Sequence, residues 1–192
     1  GSGSLLLTLA NARSAVNQGI EFDVYKELGF IGDWAADNAF AQRLGLDQPT
    51  WEDWFASANY SRIDSEIELA PASSGINTNP HRPLEGQSPY AVNFSAGYRH
   101  PEGKREATLL YNVSGKRIAQ VGVDTQPDVY EQPAGQLDFS WREDLGRGWA
   151  LKLRLRNLLD PRIEYRQGED AVTREYRKGR AAMLTLEWSP QE

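Results

Sequence analysis

Alternation with a period of two residues is the feature that most restricts how this chain can fold. In residues 90–99, Val92 and Phe94 belong to an apolar set, while Asn93 belongs to the small or polar set between them. Residues 149–156 repeat the pattern, with tryptophan and leucines on one side and three cations on the other. Because successive side chains of a β-strand point to opposite faces, each stretch predicts a strand whose two faces meet different solvents.

Five further stretches alternate in the same way, and an eighth is weaker because Phe55 interrupts its polar side. The five are residues 5–10, 20–25, 107–114, 136–142 and 182–188, and the eighth is residues 54–62. The sequence therefore predicts an all-β fold, an antiparallel transmembrane β-barrel wall of about eight strands with its apolar side toward lipid. No run of eighteen apolar residues occurs, so a membrane-spanning helix is not expected.

The composition is compatible with such a wall. A mean hydropathy of −0.61 and a charged content of 25% are typical of soluble proteins, but only every second strand residue of a membrane barrel meets lipid. The net charge of −6 is spread along the chain, which disfavours a nucleic-acid partner. Cysteine is absent, so disulfides and thiolate metal sites are excluded.

The connections between the predicted strands alternate in length. Residues 99–105 and 142–148 form short polar connections, whereas residues 67–88, 115–134 and 161–178 are long and rich in proline, glycine or asparagine. Short turns at one rim and long loops at the other are typical of outer-membrane barrels, with the short turns periplasmic. Aromatic residues near the short-turn ends predict a membrane girdle there, formed by Trp54, Tyr98, Trp141, Trp149 and Trp188.

One short-turn connection is long enough to hold a helix. Residues 33–45 predict a single helical insert with Asp33 as N-cap and Gly45 as terminator. Its expected apolar side is Ala36, Phe40 and Leu44. We expect this periplasmic helix to pack against the rim of the wall, and an extended loop is the alternative.

Sidedness is the main open alternative. A soluble eight-stranded binder of the lipocalin kind also alternates, with its apolar side inward. Charges at consecutive positions of the polar side and tryptophans at strand ends favour an apolar exterior, as in a membrane barrel. A self-contained small barrel, acting as a membrane anchor or a binding module, therefore remains the second hypothesis.

Several motifs resemble the C-terminal barrel portion of TonB-dependent outer-membrane receptors. They read Asn-Gln-Gly-Ile-Glu-Phe at 17–22, Arg-Pro-Leu-Glu-Gly-Gln-Ser-Pro-Tyr at 82–90, Tyr-Asn-Val-Ser-Gly-Lys-Arg-Ile at 111–118, Pro-Asp-Val-Tyr-Glu-Gln-Pro at 127–133 and Asn-Leu-Leu-Asp at 157–160. Each motif is weak alone, but their order and spacing together form a strong signal. The resemblance covers nearly the whole chain, so residues 1–192 are expected to form one barrel segment.

The resemblance implies partners and a location. Such receptors have a barrel of roughly twenty-two strands filled by an N-terminal plug domain, and they work with a TonB-type energy coupler. This chain would be the last eight strands, not competent for transport alone, located in the bacterial outer membrane with its lipid and the remainder of the barrel and plug as partners. The barrel assembly machinery would recognise a terminal-strand signal, here Gly179, Leu184, Leu186 and Trp188. The parent would take up a nutrient such as a siderophore, a cofactor or a glycan.

The chemical groups of the chain predict no enzyme. No nucleophile with an adjacent base, no phosphate-binding glycine loop and no metal-spaced cluster stands out, so catalytic residues, a metal site and a bound cofactor are not expected. Lys152, Arg154 and Arg156 share the polar side of one predicted strand, and Tyr130 lies in a long loop. These four are the candidate contacts to a lumen or a ligand, although pairing of the cations with Glu21, Asp23, Asp138 or Glu187 is the plainer expectation.

Overall fold

The computed structural model describes residues 12–46, 49–69, 81–123, 126–168 and 171–190. Its helical elements are α1 (Gly29–Ala36), α2 (Ala39–Arg43) and the 3-10 helix η1 (Pro49–Asp53). Its strands are β1 (Ala12–Glu27), β2 (Trp54–Leu69), β3 (His81–Arg82), β4 (Tyr90–Arg99), β5 (Arg105–Ser114), β6 (Arg117–Gln120), β7 (Val129–Glu131), β8 (Gln136–Gly146), β9 (Trp149–Arg156), β10 (Ile163–Gln167), β11 (Ala171–Tyr176) and β12 (Ala181–Trp188).

The main sheet is antiparallel throughout and follows the order of the chain. Its strands are neighbours in the order β1-β2-β4-β5-β8-β9-β12, with β3 added beside β2. The expectation of an antiparallel all-β fold is confirmed. The predicted stretch at residues 5–10 lies outside the described residues. Among those that are described, the sheet is open, because β1 and β12 each pair with a single neighbour.

The register of the strands aligns their apolar positions into continuous rows. One row reads Val24, Ala58, Phe94, Tyr111, Leu137, and the next reads Ala56, Ala96, Leu109, Phe139, Leu155, Ala182. A slip of one residue in any pair would move that strand's apolar set to the opposite face, so this register is specified by the alternation itself. We call the side carrying these rows the apolar face and the opposite side the polar face.

A second sheet occupies two of the connections that the sequence predicts to be long and poor in pattern. Residues 115–134 contain β6 and β7, and residues 161–178 contain β10 and β11. These four strands pair in the order β11-β10-β7-β6, which repeats the neighbour order of β12, β9, β8 and β5. These long connections thus contain paired strands of three to six residues, which are too short for a period of two to be distinct in the sequence.

The insert between β1 and β2 contains two helices instead of the single one predicted for residues 33–45. Asn38 divides them: its side chain accepts hydrogen bonds from the backbone N–H groups of Phe40 (3.0 Å) and Ala41 (3.1 Å), so it is the N-cap of α2. Asp33 lies inside α1 and is not its N-cap. Gly45 has a φ of 69° after α2, as the terminator prediction requires.

Few large side chains are buried within the described part of the chain. The buried apolar residues there are Ala35, Ala41, Leu69, Ile118, Ala150, Ile163 and Tyr165. Of the large ones, Ile118 alone is less than 2% exposed among the residues described. No helix in the described ranges combines the length and hydropathy needed to cross a membrane. The two-faced sheet is thus not folded around a core of its own.

Candidate functional site

The apolar face has exposed side chains on most strands of the main sheet and half-buried ones on β8 and on most of β9. Along β2, Ala58 and Tyr60 on this face are exposed, whereas Ser57 and Asn59 on the polar face are half-buried. In the centre of the sheet, Phe94 is 43% exposed. Single exposed apolar residues are ordinary on a protein surface, but a contiguous set of this extent marks a surface that something else covers.

Aromatic residues line the short-turn end of the apolar face. Trp54, Tyr98 and Trp141 belong to one row of the register, and the ring centroids of Trp54 and Tyr98 are 5.4 Å apart. Trp149 and Trp188 face each other across β9 and β12, with their centroids 6.2 Å apart. The five residues of the predicted girdle therefore lie on one face at one end of the sheet.

An ion pair stands beside this aromatic set. Arg105 and Glu143 are opposed in the register on the apolar face, and two guanidinium nitrogens of Arg105 donate to Glu143 at 2.5 and 2.7 Å. Arg105 is the first residue of β5. A bidentate ion pair at a strand end is compatible with a polar boundary to the apolar surface.

The polar face carries a chain of side-chain hydrogen bonds across four strands. Asn112 Nδ2 donates to Asn93 Oδ1 at 2.6 Å, Asn93 Nδ2 donates to Asn59 Oδ1 at 3.2 Å, and Asn59 Nδ2 donates to Glu21 Oε1 at 2.6 Å. Each amide in the middle of the chain both donates and accepts. This network connects β5, β4, β2 and β1 on the side opposite the exposed apolar rows.

Phe55, which interrupts the polar alternation of its stretch, has a defined place on the polar face. It lies directly opposite Gly97, where a side-chain Cβ would overlap the phenyl ring. Its ring stacks on Tyr25 with centroids 5.8 Å apart, and the Arg99 guanidinium lies 5.5 Å from the ring centroid. Because Gly97 has no side chain, it leaves room for an aromatic ring from the neighbouring strand.

The three cations of β9 lie together on the polar face. Lys152 Nζ donates to Glu187 on β12 at 2.7 Å, and Glu187 is one of the carboxylates expected as a partner. Arg154 is exposed beside Ser140, and Arg156 is exposed at the end of β9. The structure therefore brings the predicted cations together and gives one of them an ion pair.

Tyr130 lies in a different sheet from those cations: it belongs to β7 of the second sheet, and they belong to β9 of the main sheet. It lines a cavity of about 110 Å³ together with Lys116, Ile118 and Pro83. The ammonium group of Lys116 lies 4.2 Å from its ring centroid. Burial raises the pKa of the Tyr130 phenol above its ordinary value, and the nearby carboxylate of Asp128 raises it further.

Three of the four predicted terminal-strand signal residues lie in β12, and the fourth, Gly179, lies in the turn before it. Leu184, Leu186 and Trp188 project from the apolar face of β12 and are 67%, 57% and 59% exposed. Gly179 lies before the strand, in a turn with φ 81°. Its N–H donates to Asp160 Oδ1 at 2.9 Å and its carbonyl accepts from Asn157 Nδ2 at 2.6 Å.

Two groups of structural residues were not singled out as sites from the sequence. The asparagine chain of the polar face could have been suspected from Asn59, Asn93 and Asn112 at polar positions of successive stretches, but their register was unknown. Asn157 and Asp160 both have positive φ, 56° and 45°, which is rare outside glycine. Those angles are not visible in a sequence.

In the ranges described, no group of three or more histidine, aspartate or glutamate side chains is placed to hold a metal ion. The fold and its surface define a class of molecule: an antiparallel sheet with one exposed apolar face and one hydrogen-bonded polar face. Comparison with protein-family models, curated proteins and solved structures gave no match to this chain. The function is therefore argued from the sheet itself.

Proposed function

We propose that the chain forms part of the wall of an outer-membrane β-barrel of the TonB-dependent receptor type. Its apolar face contacts lipid, and its polar face lines the water-filled or plug-filled interior. The intact parent would take up a nutrient with the help of a periplasmic energy coupler. The role of this segment is structural: it supplies wall strands, loops that extend beyond the wall and a terminal strand for assembly.

One observation carries the proposal, namely the continuous apolar face of seven paired strands, which is exposed or half-buried at every described position. A soluble sheet would pack such rows against a helix layer or a second sheet. Here the rows that contain Phe94 and Leu109 have no covering layer in the described part of the chain, and Leu109 is 39% exposed. Hydrocarbon is the solvent in which such a face is stable, and the aromatic belt at its end is what a lipid interface favours.

The polar face supports the same orientation. Lys152, Arg154 and Arg156 would each be costly to place against hydrocarbon, since a cation at the bilayer midplane of a barrel costs about 2–4 kcal/mol. All three lie opposite the apolar rows, on the face that carries the asparagine chain. A water-containing interior satisfies both sets of groups.

The two unpaired edges of the sheet indicate that the chain has neighbouring strands within a larger wall. Unpaired backbone N–H and C=O groups cannot remain exposed to lipid, so β1 and β12 need neighbours. All pairs in the main sheet are antiparallel, and the path from β1 to β12 holds seven strands, so these two edge strands run in the same direction. An odd number of additional strands must therefore stand between them in an all-antiparallel barrel.

Substitution of one residue on each face tests the orientation. When the chain is inserted into phospholipid vesicles, Phe94→Arg is expected to lower the free energy of unfolding in urea by about 2–4 kcal/mol, because the new cation would face hydrocarbon. The matched control is Ser61→Arg on the polar face, where the register places Glu21 opposite, and its expected change is within about 0.5 kcal/mol. Equal losses for both variants would contradict the proposal, as would wild-type chain that is monodisperse in buffer without detergent.

A further inference from the structure

We propose that α1 is an interfacial helix, which lies in the lipid headgroup layer beside the wall and extends the membrane-contacting surface beyond the strand ends. This inference rests on the proposed function, because it needs the apolar face to be in lipid. It assigns a second kind of lipid contact to a segment expected from the sequence to pack against the rim.

The insert exposes more large apolar side chains than a water-soluble helical hairpin would. The two residues buried there are small, Ala35 and Ala41, and both are 0% exposed. Four of the large apolar residues are exposed, namely Phe30, Trp34, Phe40 and Leu44 at 51%, 55%, 69% and 59%, and Ile31 is half-buried. A soluble insert would gain about 1.5–3 kcal/mol for each large side chain that it buried, so this arrangement needs an apolar neighbour.

The position of Phe30 connects this surface with the apolar face of the sheet. Lys26 is opposed to Ala56 in the register and therefore lies on the apolar face, two residues from Val24. The Lys26 ammonium lies 5.4 Å from the centroid of the Phe30 ring. Trp34 follows Phe30 by four residues on the same helix, so both rings share one side of α1.

The return of the insert to β2 passes through the same region. The ring of Trp51, in η1, lies 6.2 Å from that of Trp54, and Trp54 begins the aromatic row of the apolar face. Leu28, just before α1, donates its N–H to the Trp54 carbonyl at 2.8 Å. Trp51 is thus adjacent to the predicted girdle and Phe30 to Lys26 of the apolar face, and Trp34 shares the side of α1 that carries Phe30.

Lipid is the occupant that these observations favour over a second protein. Aromatic rings combined with a lysine at the end of an apolar surface are characteristic of the interfacial layer, where the rings are partly buried and the ammonium reaches water or phosphate. A short helix with one apolar stripe lies in that layer without crossing the membrane. The continuity with the wall means that one headgroup layer reaches both Trp54 and Trp34.

Site-directed fluorescence in vesicles tests the inference, since the chain has no cysteine of its own. Single variants Trp34→Cys, Ala36→Cys and Phe94→Cys of the 192-residue chain are labelled with an environment-sensitive fluorophore and reconstituted into phosphatidylcholine vesicles. Each sample is then exposed to a nitroxide on the lipid headgroup, a nitroxide deep on the acyl chain, or aqueous iodide. Ala36 is exposed and lies on another side of α1 from Trp34.

The expected result is loss of the label signal at position 34 with the headgroup nitroxide, and at position 36 with iodide. Quenching of position 34 by iodide alone would overturn the inference in favour of a solvent-exposed insert, and shielding from all three quenchers would overturn it in favour of a protein partner. The Phe94→Cys label separates the two proposals: quenching there by the deep nitroxide shows that the wall is in lipid whatever position 34 reports. Phe30→Cys repeats the measurement with Trp34 retained, in case one substitution weakens the contact.

Discussion

At the scale of single residues, the sheet accommodates aromatic rings by placing glycine beside them. Phe55 lies over Gly97, Tyr111 over Gly135, and Tyr90 over Gly115; in each case a Cβ on the glycine would meet the ring. Glycine weakens a strand because it loses more backbone entropy and packs no side chain. An aromatic ring that packs over the glycine from the neighbouring strand restores part of the lost stability. The glycine and the aromatic residue therefore contribute to stability as a pair.

The Gly97 pair gives a test of this coupling. We expect Gly97→Ala to lower the free energy of unfolding by about 1–3 kcal/mol, because the new methyl group displaces the Phe55 ring from its stack on Tyr25. Phe55→Ala removes the ring but not the backbone carbonyl oxygen of Ala107, which lies 2.7 Å from the position of the new methyl group, so the loss in the double variant should be smaller than the sum of the two single losses without disappearing. Urea unfolding of the four proteins measures the difference. Strictly additive losses would show that the ring and the glycine act independently.

The asparagine chain on the polar face gives a second test at this scale. Asn93 makes two hydrogen bonds in it and Asn112 makes one, so Asn93→Ala should lower the free energy of unfolding more than Asn112→Ala. Each lost hydrogen bond is expected to cost about 0.5–1.5 kcal/mol. The same urea titration reports both variants, and Asn112 is the matched control because it is opposed to Asn93 in the register. A larger loss for Asn112→Ala would contradict the network.

At the scale of elements, the alternation predicted best the strands of the main sheet, which have one apolar and one polar face. The bounds of β4 and β9 coincide with predicted stretches 90–99 and 149–156. The second sheet was missed because its strands are short and pair across distant connections, for example β7 with β10. The turns at Asn157 and Gly179, which connect this sheet with β9 and β12, have positive φ, and periodicity does not encode them.

The helical insert shows the same limit in another form. A spacing of Ala36, Phe40 and Leu44 predicts one helix, but the side chain of Asn38 competes for backbone N–H groups and begins a new helix. The apolar residues of the spacing were predicted to pack on the rim, whereas Phe40 and Leu44 are exposed in the structure. Periodicity therefore indicated helical character without fixing the break or the buried side.

Replacement of the internal cap tests this account of α2. Asn38→Ala removes the acceptor for two backbone N–H groups and should destabilise α2 by about 0.5–2 kcal/mol, whereas Asn38→Asp keeps an acceptor in place and should change it little. Amide hydrogen exchange at residues 40–44 measures the opening of this helix. Equal exchange rates in the wild type and Asn38→Ala would show that Asn38 does not stabilise α2.

At the scale of the whole molecule, two constraints act together: the faces of the sheet and its edges. In the proposed function, hydrocarbon lies against one face and water against the other, while the edges need backbone partners wherever lipid reaches them. A closed barrel satisfies both constraints, but the seven strands of the main path leave edges that run in the same direction. The odd number of strands on this path therefore predicts that the strands which complete the barrel are also odd in number.

This parity leads to a cross-linking prediction. With short bifunctional maleimides, a cysteine pair at Leu153 and Leu184 should react, because the two positions are directly opposed on β9 and β12. A pair at Ile20 on β1 and Leu184 on β12 should not react within one chain, since direct contact would need a parallel pair in an otherwise antiparallel sheet. Gel mobility after cleavage between the two sites measures each yield. Comparable yields for both pairs would show that β1 and β12 are neighbours and that the seven strands close on themselves, and the wall would then need no further strands.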